Sequence, residues 1–413
     1  MDVAVSSIDI TPGFDVQLYG YESRKNRTTR QVLDPIVLTG IAMREGDREF
    51  FILSFDLCLF DQAIAARIFA ELQRLGIARD QVFISCTHTH CGPVCSYNPI
   101  FRGDPGSYIS FLIPKLQQIV GELRDRYVPG CKTFYGEGAT RVPKNRTNQH
   151  GITPTNPSGD IDHILNVLAI KTPGSEFLAV IFRISCHATL LTDIMKISAD
   201  LPGSARKYLL EQLRQRETAT QHVQPEILFL QGFCGDANPV QRGSMDLLES
   251  LGKRLASEVL VVIREKLVQV ESVLRYHLDF LELACDATAE TKKVAAVRKA
   301  LKRGTTVLVD KIQWPIHVLQ VAKRRLVIAC GGEVVHEVAD MVRGIFHDYS
   351  VVLVGYTGEY HTYIPTENHF RADSYEAFGV IKYTNLAGPL DHRDLNKRLI
   401  EKFTTLHEMV DTW

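Results

Sequence analysis

Apolar and polar positions along the chain follow two alternating periods. Short apolar runs at Glu49 to Leu59, Phe83 to Cys86, Ile164 to Lys171, Phe177 to Cys186, Glu226 to Gln231, Arg325 to Ala329 and Val351 to Val354 read as buried strands. Between them, apolar residues recur at helical spacing over Asp61 to Gly76, Asp200 to Arg216, Met245 to Leu267 and Glu337 to Phe346. Asp61 is a suitable N-cap and Gly76 a suitable stop. Tyr108 to Tyr127 predicts a further helix, bent or interrupted at Pro114. Ser272 to Ala284 alternates like a strand, Ala289 to Arg303 reads as a charged surface helix, and a C-terminal helix runs through Glu408. Strand, helix, strand is a βαβ rhythm. The expected class is therefore α/β: layered mixed β-sheets flanked by helices, in a single domain over residues 1–413. The stretch from Leu274 to Arg325, where charge density rises, is the candidate for a peripheral insertion.

The strand exits share a second pattern. Phe83-Ile84-Ser85-Cys86-Thr87-His88-Thr89-His90-Cys91-Gly92-Pro93 runs from a buried strand into two histidines and breaks at Gly-Pro. Alternate side chains of a strand share a face, so a strand continuing through this pair would point His88 and His90 the same way. That arrangement suits a metal ligand beside an acid/base, or equally a pair of hydrogen-bonded histidines. Other exits carry His187, then Asp236 and Asn238, then Glu333, then the tyrosines after Gly355. Sites in α/β folds gather beyond the carboxyl ends of strands. His88, His187 and Glu333 form a set of two histidines and a carboxylate, suited to zinc or another divalent ion. Asp56, alone in an apolar strand, reads as a buried acid with its hydrogen bonds satisfied. Arg141 to Asp162 is a long polar loop, either a solvated connection or part of a site; its Arg146 offers a guanidinium fork for a polar or anionic group.

Composition narrows the function classes. The chain has 413 residues, 45% of them hydrophobic, and a formal net charge of −1. Neither a nucleic-acid footprint nor a basic membrane-binding face is present. No apolar run is long enough to span a bilayer, and Met1-Asp2-Val3-Ala4-Val5 does not open a signal peptide, so a cytoplasmic location without a stable membrane anchor is expected. Nine cysteines without framework spacing predict reduced thiols, most of them packing residues. Cys91 and Cys95 are a further, weaker pair of soft metal ligands.

At this level of detail the chain resembles the neutral/alkaline (non-lysosomal) ceramidase family, in its N-terminal catalytic domain. The motifs are Asp9-Ile10-Thr11-Pro12, Gly20-Tyr21, Leu33-Asp34-Pro35, Thr87-His88-Thr89-His90-Cys91-Gly92-Pro93, Cys186-His187-Ala188-Thr189, Gly232-Phe233-Cys234-Gly235-Asp236-Ala237-Asn238-Pro239, Gly332-Glu333, and Tyr363-Ile364-Pro365-Thr366 with Tyr375-Glu376-Ala377. The resemblance implies one zinc ion per chain, held by His88, His187, Glu333 and Tyr363. His90 would lie beside the zinc-bound water and Tyr375 would face the substrate carbonyl. Tyr363 has an alternative role as a hydrogen-bond donor to that water. The implied reaction is hydrolysis of an N-acyl (amide) bond through a metal-activated water, on a small-molecule substrate met by Arg146, Asp236 and Asn238.

Three departures shift the expected substrate. Asn238 stands where the family has serine, no immunoglobulin-like domain follows the catalytic region, and no export signal precedes it. Lys144, Asn145, Arg146, Asn148, Gln149 and His150 make the loop that would border the entrance polar. A soluble polar amide is therefore expected in place of long-chain ceramide. Two other readings stay open: an ester, lactone or carbohydrate-derivative hydrolase using the same metal, or a catalytically silent binding protein of the same fold. A cysteine catalyst built on Cys91 or Cys234 near His90 is the remaining one.

Overall fold

The protein is described here from a computed structural model, which covers residues 1–24, 27–97, 104–146, 160–192, 194–215, 224–288 and 308–413. The expected Ala289 to Arg303 helix and residues 147–159 of the polar loop lie outside them. Three larger sheets carry the fold. The first orders Asp2–Asp9, Val37–Glu45, Arg48–Phe55 and Val82–Cys86. The second orders Glu226–Gln231, Phe177–Ile184, Ile164–Lys171, Lys132–Ala139 and Val268–Val270. The third orders Ser272–Ala284, Lys311–Ala322, Arg325–Cys330 and Ser350–Val354. Each is mixed, with one parallel pair: Phe51 against Val82, Ala179 against Glu226, and Arg325 against Ser350 mark their registers. A helix bridges each pair, over Gln62–Arg74, Asp200–Arg214 and His336–Ile345 respectively. This is the α/β architecture of layered mixed sheets flanked by helices.

Local sequence accounts for these elements. Phe50, Phe51, Ile52, Leu53 and Phe55 are buried in succession, as a strand covered on both faces requires. Asp61 caps the next helix by accepting from the Ile64 amide at 2.9 Å, and Ile64, Ala65, Ile68 and Leu72 bury its inner face. The following helix spans Pro105–Asp125, starting before Tyr108 because Asp104 caps it and Pro105 sits in its first turn; Pro114 lies within it without ending it. Within the stretch from Leu274 to Arg325, the described residues supply two paired strands of the third sheet, Ser272–Ala284 and Lys311–Ala322. Their inward-facing Trp314, Ile316 and Val318 are fully buried in the core around the C-terminal helix Leu395–Asp411. Charge density marked only the exposed side of that hairpin.

The strand ends of the three sheets are stitched together. Gly355 N donates to Gln231 O at 2.9 Å, Cys86 N to Tyr356 O at 3.1 Å, and Gly358 N to Ile84 O at 2.8 Å. Asp56 is fully buried and satisfied: it accepts from Val37 N at 3.0 Å and pairs with Arg206 through both carboxylate oxygens. Asp162, also buried, sits between Arg183 and Arg343 at 2.6 and 2.7 Å. No described helix is long and apolar enough to cross a membrane. All nine cysteines are free thiols, Cys285 alone being less than fully buried.

Candidate metal centre

Each parallel pair delivers one side chain to a common point. His88 follows Val82–Cys86, His187 follows Phe177–Ile184, and Glu333 follows Arg325–Cys330. All three are buried, and their ligand atoms lie within 4.8 Å of one another. The strand ends at Cys86, so the shared-face argument for His88 and His90 does not apply. His88 instead adopts a left-handed backbone with φ of 63°, held by its amide donating to Leu57 O at 2.9 Å. Such a conformation costs a non-glycine residue about 1–3 kcal/mol and persists where surrounding contacts impose it. The two histidines still meet, with Nε2 atoms 3.1 Å apart. At the third corner Gly332 makes the bend into Glu333; its φ is 74°, and a Cβ there would lie 2.4 Å from Thr362 O.

Backbone carbonyls fix the imidazole tautomers. His88 Nδ1 donates to Cys58 O and His187 Nδ1 to Ala237 O, each at 2.9 Å. That leaves both Nε2 lone pairs turned towards the carboxylate, 3.5 Å from Glu333 Oε2 for His88 and 2.9 Å for His187. Burial keeps both rings neutral, pushing His88 down to about 4 and His187 also below its usual range. Burial opposes the charge on Glu333, but the neighbouring His88 and His187 hold its carboxyl down to about 2. Lone pairs facing a carboxylate oxygen at these distances call for a cation among them. The donor set of two Nε2 atoms and a carboxylate therefore fits a divalent metal, with carbonyl partners orienting both rings. Arg146 supplies positive charge at the same place: its Nη2 lies 2.8 Å from His187 Nε2 and its Nη1 3.5 Å from Glu376. Cys58, His88 and His90 form a second close group, but burial and the Glu333 charge raise the Cys58 thiol far above its usual range and keep it protonated. Cys91 Sγ accepts from buried Arg24 and Cys95 is buried in the core of the first sheet, so neither joins the cluster.

Phenols surround Glu333. Tyr356 donates to Oε2 at 3.1 Å, Tyr360 to Oε1 at 3.3 Å, and Tyr363 also hydrogen-bonds the carboxylate. Burial and the Glu333 charge push the Tyr363 phenol well above its usual range, so it stands as a neutral donor. Tyr375 packs edge-on against Tyr363 at 5.7 Å, and the Arg146 guanidinium lies 5.7 Å from the Tyr375 ring centre. Asp236 turns away from the cluster and accepts from His336 N at 2.9 Å, satisfying the start of the bridging helix. Asn238 is buried in a short pairing with Lys144. The contribution of this turn to the cluster is main-chain: Ala237 O orients His187, and Asp236 O accepts from Arg146 N at 2.7 Å.

The N-terminal segment positions His90. Arg24, fully buried, donates to Tyr19 O at 2.9 Å and to His90 O, and lies over the Tyr21 ring. A Cβ on Gly20 would fall 2.3 Å from the His90 ring. Sequence reasoning stopped at the Gly20-Tyr21 motif; that Arg24 is buried against a histidine 66 positions away has no local signature.

The arrangement of sheets and helices is the fold of solved ceramidases. The neutral ceramidase from Pseudomonas aeruginosa superposes with a TM-score of 0.77 at 17% identity, covering 99% of this chain and 74% of that one. A solved ceramidase complexed with C2 superposes with a TM-score of 0.78 at 16% identity, covering 99% of this chain and 75% of that one. No protein-family model and no curated protein sequence matches the chain.

Proposed function

We propose that the protein is a zinc-dependent hydrolase of N-acyl (amide) bonds, acting on a soluble polar substrate. The observation that carries this reading is the convergence of His88, His187 and Glu333, one from each sheet, with both Nε2 lone pairs turned to the carboxylate. A divalent ion held by these three supplies Lewis acidity towards a carbonyl and lowers the pKa of water towards neutrality. His90 is neutral, since burial and the neighbouring His88 push its pKa well below the usual value. It is thus in the form that accepts a proton from the attacking water and passes it to the leaving amine nitrogen. Tyr375, a neutral phenol beside the cluster, donates a hydrogen bond to the oxygen that gains charge as the carbonyl becomes tetrahedral. Arg146 closes the far side and, paired with Glu376, orients the substrate's polar end. The nine free thiols fit a reducing compartment, which supports a cytoplasmic location.

The test is metal content together with amide turnover in the purified protein and in His187→Ala. The wild-type chain is expected to bind one zinc and cleave soluble N-acyl amines, and His187→Ala to lose both while remaining folded. Full zinc occupancy in His187→Ala removes this ligand set. A zinc-loaded wild-type chain that cleaves long-chain ceramide and no soluble amide overturns the substrate reading.

A further inference from the structure

A cavity of about 380 Å³ adjoins the metal centre. Tyr360 is the wall between them, lining the cavity while its hydroxyl donates to Glu333 Oε1 at 3.3 Å. Tyr19 and Tyr383, also in the lining, pack in one cluster with Tyr360 and with Cys58, whose carbonyl orients His88. A group bound there is separated from Glu333 by the Tyr360 ring alone.

The chemistry of the lining is selective by what it offers and by what it lacks. Tyr19, Tyr97, Tyr360 and Tyr383 line it with flat aromatic rings, Tyr97 and Asn385 bring a phenol and a planar amide, and the Tyr360 and Tyr383 hydroxyls and the Gln62 amide, whose hydrogens go to Glu333, Glu22 and His361, keep an oxygen lone pair to accept with. Hydroxyls and amides both donate and accept, so they match a ligand bearing many hydroxyls. Aromatic faces cover the C–H side of such a ligand. Among the described lining residues Ala63 is the sole aliphatic one, so the apolar wall is made of flat rings and not of the branched side chains that enclose a long alkyl chain. None is Lys or Arg, so a phosphate or carboxylate finds no countercharge. The one carboxylate, Asp61, is committed to the amides of Ile64 and Tyr97, leaving no anchor for an ammonium. The volume lies within the ~300–1,000 Å³ span of small-molecule sites.

We propose that this cavity is the subsite for a neutral polyhydroxylated group, the amine portion of an N-acyl amino sugar or amino polyol. The assignment rests on the amide-hydrolase reading for what happens next, but not for the binding itself. The test uses a matched pair, N-acetylglucosamine and N-cyclohexylacetamide, which share a six-membered ring and an acetamide and differ mainly in hydroxyls. Calorimetric titration is expected to show the sugar bound at least about tenfold more tightly. Tyr97→Ala and Asn385→Ala should each weaken the sugar by about five- to tenfold and leave the cyclohexyl compound unchanged, the effect of losing one or two ligand contacts. Tyr97 is exposed, so its variant keeps the fold, and thermal unfolding checks both. Equal or tighter binding of the cyclohexyl compound, or no loss in either variant, overturns the assignment. Release of free amine is followed in parallel. Sugar binding without cleavage would stand against the amide-hydrolase reading and uphold the cavity assignment. Equally fast cleavage of both compounds would do the reverse.

Discussion

Replacing Gly20 by alanine tests whether the N-terminal segment sets the position of the proposed proton-transfer residue. Gly20 has a φ of 100°, where an L-residue is strained by about 1–3 kcal/mol. Its added Cβ would lie 2.3 Å from Cγ and 2.4 Å from Nδ1 of His90. Ordinary contact begins at 3.4 Å, so the ring must retreat by about 1.1 Å or the segment must lift. Lifting is resisted from the same side, because Arg24 grips the His90 carbonyl and stacks on Tyr21. A displacement near 1 Å in a reacting group lowers turnover by ~10²-fold, equivalent to about 2.7 kcal/mol of barrier. The proposed metal ligands His88, His187 and Glu333 are untouched, so the content of the proposed zinc should hold. The assay is kcat on a soluble N-acyl amine, zinc by elemental analysis, and the urea midpoint, with Gly13→Ala as control: Gly13 is exposed and its Cβ would meet nothing within 4 Å. Gly20→Ala turnover within threefold of wild type, at equal zinc content, would refute the reasoning.

The remaining predictions address the cluster and the scaffold. His90→Ala should keep its metal and lose turnover by ~10²–10⁴-fold; an emptied site would make His90 a ligand. His317, fully buried on the third sheet, has its pKa pushed down to about 3 by burial, with Arg79 and His277 adding to the shift. Its folded pKa lies below the unfolded value near 6.5, so stability falls as the pH drops below about 6.5, by about 2 kcal/mol between pH 7 and pH 5. His317→Leu should reduce the fall in stability over that interval by that amount, the other buried histidines keeping their share, and an unchanged slope of the urea midpoint would count against His317 as a cause. Asp162→Ala strands Arg183 and Arg343 beside a buried gap and should cost about 3–5 kcal/mol; a loss under 1 kcal/mol would show that the pair is replaceable by water.

What the sequence determined by itself was the material of the fold and the identity of the converging side chains. Apolar period and helix caps are local properties, so the βαβ rhythm, the strand from Glu226 to Gln231 and the helix from Met245 could be read directly. His88, His187 and Glu333 stood out because each closes an apolar run with a ligand-type residue. Tertiary structure decided how they meet. His88 lies beside His90 through a left-handed backbone that Leu57 O holds, not through a shared strand face. The Asp236-Ala237-Asn238 turn acts through a carbonyl, which has no letter in the sequence. The strand Lys311–Ala322 joins the core because alternate positions Ile312, Trp314, Ile316 and Val318 pack in one cluster with Phe403 and Leu399 of the C-terminal helix, whereas its composition reports only the exposed side. Tyr19, Arg24 and Tyr360 reach the site from positions far apart in the chain. Periodicity records which face of an element is buried; it does not record which other element buries it. That choice is made when three separate sheets pack with their strand ends together, and only then do the lone pairs of two histidines turn to one carboxylate.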